Sequence, residues 1–178
     1  MVAEAFDAGG LYEVDLTAGE VRARGTRSVV VSAEALEALV AAAVRAGDLG
    51  PLRVVGMDLG EQVRRSLGSD PGALPVETVV SHATGALAAF GWGSARFERW
   101  GEAMVVAVDN APSLDASGLA CAAVLGGMLS ALHGRDVACV PVGEGRHLVV
   151  DPIVAETVFD WHRRGRSLGD IVEAMEET

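Results

Sequence analysis

Few side chains in this sequence could carry out chemistry. They are four histidines, at 82, 133, 147 and 162, and two cysteines, Cys121 and Cys139. The cysteines lack the C-x-x-C spacing that writes a metal or redox site in its usual form. His82 sits within a helical pattern among small residues, where it either makes a local hydrogen bond or faces a ligand. His133 closes a helix, where the helix dipole favours an imidazolium. His162 lies among arginines and is expected in solvent. Cys121 belongs to a long apolar segment and is either a small core residue or a thiol facing a pocket. "GWGS" is not the G-x-S-x-G of a nucleophile elbow, and no phosphate loop or dinucleotide fingerprint is present. No nucleophile and base are paired by any motif, so no cofactor is implied. What remains is an aromatic group, Trp92, Phe97 and Trp100, in a chain whose aromatic content is only 4%. Such a group either fills the core or lines a pocket.

The 178 residues are half apolar, enough for a single domain with a full core. A net charge of −11 opposes binding to nucleic acid or to an anionic membrane, both of which need a basic face. The opening stretch, MVAEAFDAGGLYEVD, is acidic and lacks the apolar run of a secretory leader. A reducing cytoplasm is therefore the expected location, with both thiols free.

The elements that must position these residues follow from periodicity and caps. "LYEVDL" and "RSVVVS" read as strands, with "TAGE" opening the connection between them. Ser32 is an N-cap for "AEALEALVAAAVRA", and Gly47 its C′ residue. A second helix over 52–67 carries Val55, Leu59, Val63 and Leu67 every fourth position. Gly56 and Gly60 lie on an adjacent face of it and imply a close neighbour. "SDPGALP" is a loop, and "VETVVSHATGALAAF" is a third helix stopped by Gly91. "ARFERW" and "AMVVAV" flank Gly101-Glu102 as a hairpin. After one more helix, "DVACVPV" and "RHLVVD" flank "GEG" as a second hairpin. Asp151 and Pro152 then open a helix ended by Gly165, and Ser167 with Asp170 forms a capping box for the last one. This order predicts an α+β fold, an antiparallel sheet built from hairpins and packed against a layer of helices.

Residues 116–134 carry no formal charge and approach the length of a membrane span, but many are Gly or Ser. Leu114, Leu125, Leu129 and Leu132 mark one side; Ala116, Ala120, Ala123, Gly127 and Ala131 mark a side that is small throughout. A helix apolar on nearly every side is buried inside a domain. It is expected to turn Cys121 and Leu125 toward the sheet, facing Trp92, Phe97 and Trp100 across an apolar space. With His82, these form the candidate ligand-binding set.

"ACAAVLGGMLSALHGRDVACVPV" resembles the closing part of the 4-vinyl reductase domain, on Cys121, Gly126, Ser130, Gly134 and Val137. "VVGMDLGEQVRRSL" resembles that family's Gly-x3-Gly helix, and "AAFGWGSARFERW" its glycine-bracketed entry into the sheet. The resemblance covers residues 28–150, followed by a helical extension over 151–178. Subunits of the TRAPP tethering complexes share the fold. The resemblance implies a commonly dimeric protein, sometimes with an apolar cavity. Its function would be that of a cytoplasmic regulatory or adaptor domain holding a small apolar ligand or a protein partner, such as a small GTPase or signalling protein. The alternative it implies is an accessory enzyme of tetrapyrrole metabolism. The chain departs from the family where many members carry paired cysteines of a zinc-type site. Here Cys139, Glu144 and His147 offer three ligands at most, so no metal is expected.

Overall fold

The computed structural model describes Gly9 and residues 11–176. Residues 1–8 and 10, which make up most of the opening stretch on which the reading of an absent leader rests, and the last two residues of the expected helical extension lie outside them. The chain opens with a small antiparallel meander, β1 (Tyr12–Asp15), β2 (Glu20–Ala23) and β3 (Thr26–Ser28). Two expectations change here. Glu20 begins a strand rather than a connection. "RSVVVS" leaves the sheet at Ser28, and Val29, Val30 and Val31 are exposed. The β-branched run has strand propensity, but propensity without a paired neighbour does not make a strand, and pairing with β2 ends at Val21↔Ser28.

The caps written in the sequence set the helices. Ser32 accepts a hydrogen bond from the Ala35 amide at 3.2 Å to open α1 (Ala33–Ala46), and Gly47 closes it in the left-handed region. Then come α2 (Gly50–Leu67), α3 (Val76–Ala89), the hairpin β4 (Ser94–Trp100) and β5 (Ala103–Asp109), α4 (Leu119–His133), the hairpin β6 (Ala138–Pro141) and β7 (Arg146–Val150), α5 (Ala155–Arg163) and α6 (Leu168–Glu176). The Ser167–Asp170 capping box forms as read, with the Ser167 amide donating to Asp170 at 3.1 Å and the Asp170 amide donating to Ser167 at 3.2 Å.

The fold is α+β. The main sheet runs β4-β5-β7-β6 and every neighbouring pair is antiparallel. Because side chains alternate along a strand, β5, β6 and β7 each serve two cores. Val106, Val108 and Cys139 pack with α2, α3 and α4 on one face. Val105, Val140, Leu148 and Val150 pack with Val158 of α5 and with Ile171 and Val172 of α6 on the other. The helices read as an extension therefore cover the second face of the sheet.

α4 begins at Leu119, later than its apolar stripe suggested. Asp115 accepts from the Leu119 and Ala120 amides, both at 3.0 Å, and so fixes the start; Leu114 and Ala116 belong to the preceding loop. Residues 124–132 are all buried. The close neighbour implied by Gly56 and Gly60 is this helix. A Cβ on Gly56 would lie 2.0 Å from the Val124 carbonyl oxygen, and one on Gly127 would lie 2.1 Å from that of Arg53. The two small-residue stripes satisfy each other within one chain, so they supply no reason for a dimer through these helices. Among the described residues no helix is long and apolar enough to cross a membrane.

Candidate functional site

The aromatic group expected on one wall is divided by the sheet. Phe97 and Trp100 are three positions apart on β4, so their side chains must point to opposite faces. Phe97 packs half-buried toward the α2–α4 layer. Trp100 pairs in register with Ala103, which packs with the α5–α6 layer, and is 37% exposed, its indole donating to Glu98 at 3.2 Å. Trp92 and Leu125 are buried in the larger core, and Cys121 lies at its margin. His82 is buried on α3, with Nδ1 3.1 Å from Ser66 Oγ of α2. Cys121 and Leu125 therefore do not face the three aromatics across one space. The six candidates are distributed between the core, two separate hollows and the surface.

The hollow that receives one of them is apolar. It lies between α3, α4 and the β4–β5 hairpin and has a volume of about 510 Å³. Val79, Val80 and Ala83 come from α3, Phe97 and Met104 from the hairpin, and Leu129 from α4. Polar side chains line it as well. Arg64 donates to the Ala131 carbonyl at 3.0 Å, Asp70 accepts from the Gly72 amide at 3.4 Å, and His133 stands at the end of α4. A second hollow of about 490 Å³ shares Val76, Val80, Phe97 and Met104 and continues along the outer side of β4. Met104 and the valines of α3 were not among the sequence candidates. The signal for Met104 is its place on an alternating strand: it shares a face with Val106, which pairs with Phe97.

A larger cleft, about 740 Å³, opens where the loop before α4, the β6–β7 turn and α5 meet. It brings together Cys121, Asp115, His147 and His162, the types that catalysis would need. Their states argue against it. Burial and the nearby Asp115 carboxylate push the Cys121 thiol up to about 11, so it stays protonated at neutral pH. Asp115 is committed to the start of α4 and accepts from Ser117 Oγ as well. Burial lowers His147 below its ordinary value of 6.5, with the backbone at Val106, Gly118 and Gly145 and the Asp115 charge opposing the shift only in part. Its Nδ1 is buried without a hydrogen-bond partner among the described residues. A protonated thiol and a neutral imidazole in one cleft, with no hydrogen bond between them, do not make an activated nucleophile.

The residues that carry the family resemblance have structural work. Ser130 Oγ donates to the Gly126 carbonyl at 2.7 Å and accepts from the Val137 amide at 3.0 Å, joining α4 to the approach of β6. Arg53 of α2 donates to Ser130 Oγ at 2.8 Å, to the Val137 carbonyl at 3.1 Å and to Asp136. A Cβ on Gly126 would meet the Arg53 guanidinium at 3.0 Å. Burial pushes the Cys139 thiol up to about 12. Among the described residues no three His, Cys, Asp or Glu side chains are grouped so as to hold a metal ion. No family model matches the chain, and no curated protein matches it.

Proposed function

We propose that this protein is a non-catalytic cytoplasmic regulatory or adaptor domain that acts as a homodimer and takes a small apolar molecule into the groove between α3, α4 and the β4–β5 hairpin. The observation that carries this reading is the groove itself: about 510 Å³, within the range of small-molecule sites, lined mainly by apolar side chains from α3, α4 and the β4–β5 hairpin, with Arg64, Asp70 and His133 as its charged or titratable groups. The weak nucleophilic character of the larger cleft favours binding over catalysis. The resemblance to vinyl-reductase and TRAPP domains supports the same reading, since that fold sometimes holds an apolar cavity. Protein partners of the adaptor, such as a small GTPase or signalling protein, belong to this reading. A tetrapyrrole-type accessory enzyme is the second reading, and the 740 Å³ cleft with its buried, unpartnered His147 nitrogen is the feature that favours it.

Native mass spectrometry of the purified protein and titration with the fluorescent probe anilinonaphthalene sulfonate test the groove. Saturable uptake that is lost in Val80→Trp, with the thermal midpoint preserved, is the expected result. Equal uptake by Val80→Trp and the wild type would remove the groove as the site.

A further inference from the structure

β4 is the outermost strand of the main sheet, and among the described residues no strand pairs with its free side. An open edge of this length is a template for another strand unless something covers it. Its sequence, Ser-Ala-Arg-Phe-Glu-Arg-Trp, specifies what would cover it. The Gly101-Glu102 turn is a two-residue hairpin loop with Gly101 at φ +57, so the pair it closes, Trp100 and Ala103, exchanges hydrogen bonds. Alternation then turns the backbone groups of Glu98 and Arg96 toward β5, and those of Ala95, Phe97 and Arg99 outward.

We propose that β4 pairs antiparallel with β4 of a second copy, about a twofold axis through Phe97, to make one continuous eight-stranded sheet. In this register the Phe97 pair and the two flanking Ala95–Arg99 pairs exchange backbone hydrogen bonds, all from outward-facing groups. Between them, Arg96 of each copy stands opposite Glu98 of the other. These positions are the non-hydrogen-bonded pairs, where Cα atoms come within about 4.5 Å and opposite charges attract most effectively. The Arg-Phe-Glu order is its own charge complement when reversed. It selects an identical strand, in antiparallel direction, in one register. A slip of two residues sets Glu98 against itself or Arg96 against itself.

The surroundings fit the same occupant. Arg96 is 55% exposed at its side chain and pairs with Asp109 of β5, and Glu98 is held at 3.4 Å by Arg146 of β7 and at 3.2 Å by Trp100. Both charges therefore lie on one face of the sheet and would exchange these partners within the chain for those of the second copy. On the opposite face the apolar hollow of Val76, Val80 and Phe97 runs along the strand, and Val76 is 61% exposed. A second copy would cover it with its own α3. The inference rests on the dimer of the proposed function but not on its ligand.

Sedimentation equilibrium of the full chain tests it. The wild type is expected to show a dimer whose dissociation constant rises with salt. Arg96→Glu should weaken it about tenfold or more, since both copies then set like charges across the axis. Arg96→Glu with Glu98→Arg should restore it. Arg99→Pro removes an outward amide at an exposed edge position together with the side-chain bonds of Arg99 to Gly101 and Glu102, so Arg99→Ala, which loses the side-chain bonds alone, is its control. The proline should weaken the dimer and the alanine should not, with circular dichroism of both close to wild type. A wild-type monomer at tens of micromolar would overturn both the dimer and this surface. A dimer unchanged in Arg96→Glu and Arg99→Pro would overturn the surface alone and move the contact to the exposed apolar residues of α1 and α2, Leu39, Val54 and Met57.

Discussion

Replacing Gly56 by Ala tests the junction on which the larger core is built. In an unobstructed helix the change would stabilise by about 1 kcal/mol, because Ala is the better helix former. Here the new methyl would lie 2.0 Å from the Val124 carbonyl oxygen, 2.8 Å from its carbon and 2.9 Å from its Cα. All three are backbone atoms inside a buried helix, so no side-chain rotation relieves the contact. An ordinary contact begins at about 3.4 Å, which would require α2 and α4 to part by roughly 1.4 Å. That movement would also pull Gly127 from the Arg53 carbonyl and Gly60 from that of Met128. Overpacking of this kind costs about 3 kcal/mol, so the net loss is about 2 kcal/mol after the propensity gain. For a chain of this size the thermal midpoint falls by roughly 4–8 °C. Gly169→Ala is the control: it lies in α6 with its nearest neighbour, Ser167 Oγ, at 3.8 Å, and should be neutral or slightly stabilising. Thermal unfolding followed by circular dichroism reads both. If Gly56→Ala raises the midpoint as Gly169→Ala does, the helices are not in backbone contact and the packing argument fails.

The division of the aromatics makes a second test. Trp92→Ala, deep in the larger core, should cost roughly 3–5 kcal/mol in chemical denaturation, whereas Trp100→Ala, at an exposed edge, should cost about 1 kcal/mol or less. Equal losses would mean that Trp100 is core. The pH dependence follows from His147, whose proton affinity is lowered in the folded state. Above the unfolded value of 6.5 both states are neutral there and its contribution is constant. As pH falls below 6.5 the unfolded chain takes up a proton that the folded chain refuses, so stability falls until the folded value is reached. Denaturant unfolding at a series of pH values between about 7 and 5 should show a shallower loss for His147→Gln than for the wild type. Parallel curves would show that the folded state does not resist this protonation.

Much of the architecture was legible from local signals. Caps at Ser32 and Gly47, the Ser167–Asp170 box, the Gly101-Glu102 turn and the change of period from helix to strand all act within a few residues, and each forms as read. The α+β class follows from the order of these elements. The parity of β4 was in the sequence too: Phe97 and Trp100, three apart, could not share a wall, and counting by two would have separated them. The meander was harder. Val29–Val31 has the composition of a strand, and only the register of β2 and β3 shows that no partner remains for it.

What tertiary structure alone decided is which distant groups meet. Gly56 and Gly60 announced a close neighbour, but not that α4 of the same chain would be that neighbour. Gly126, Ser130 and Val137 carried part of a motif, and their work became visible only when Arg53, 77 residues from Ser130, was seen to join α2 to α4 and β6. The sequence by itself determined the elements, their ends and their apolar faces, because propensity, capping and periodicity are properties of neighbouring residues. The pairing of those faces, and with it the groove between α3, α4 and the β4–β5 hairpin, depends on how long-range packing closes the chain around one core, and no local rule contains that.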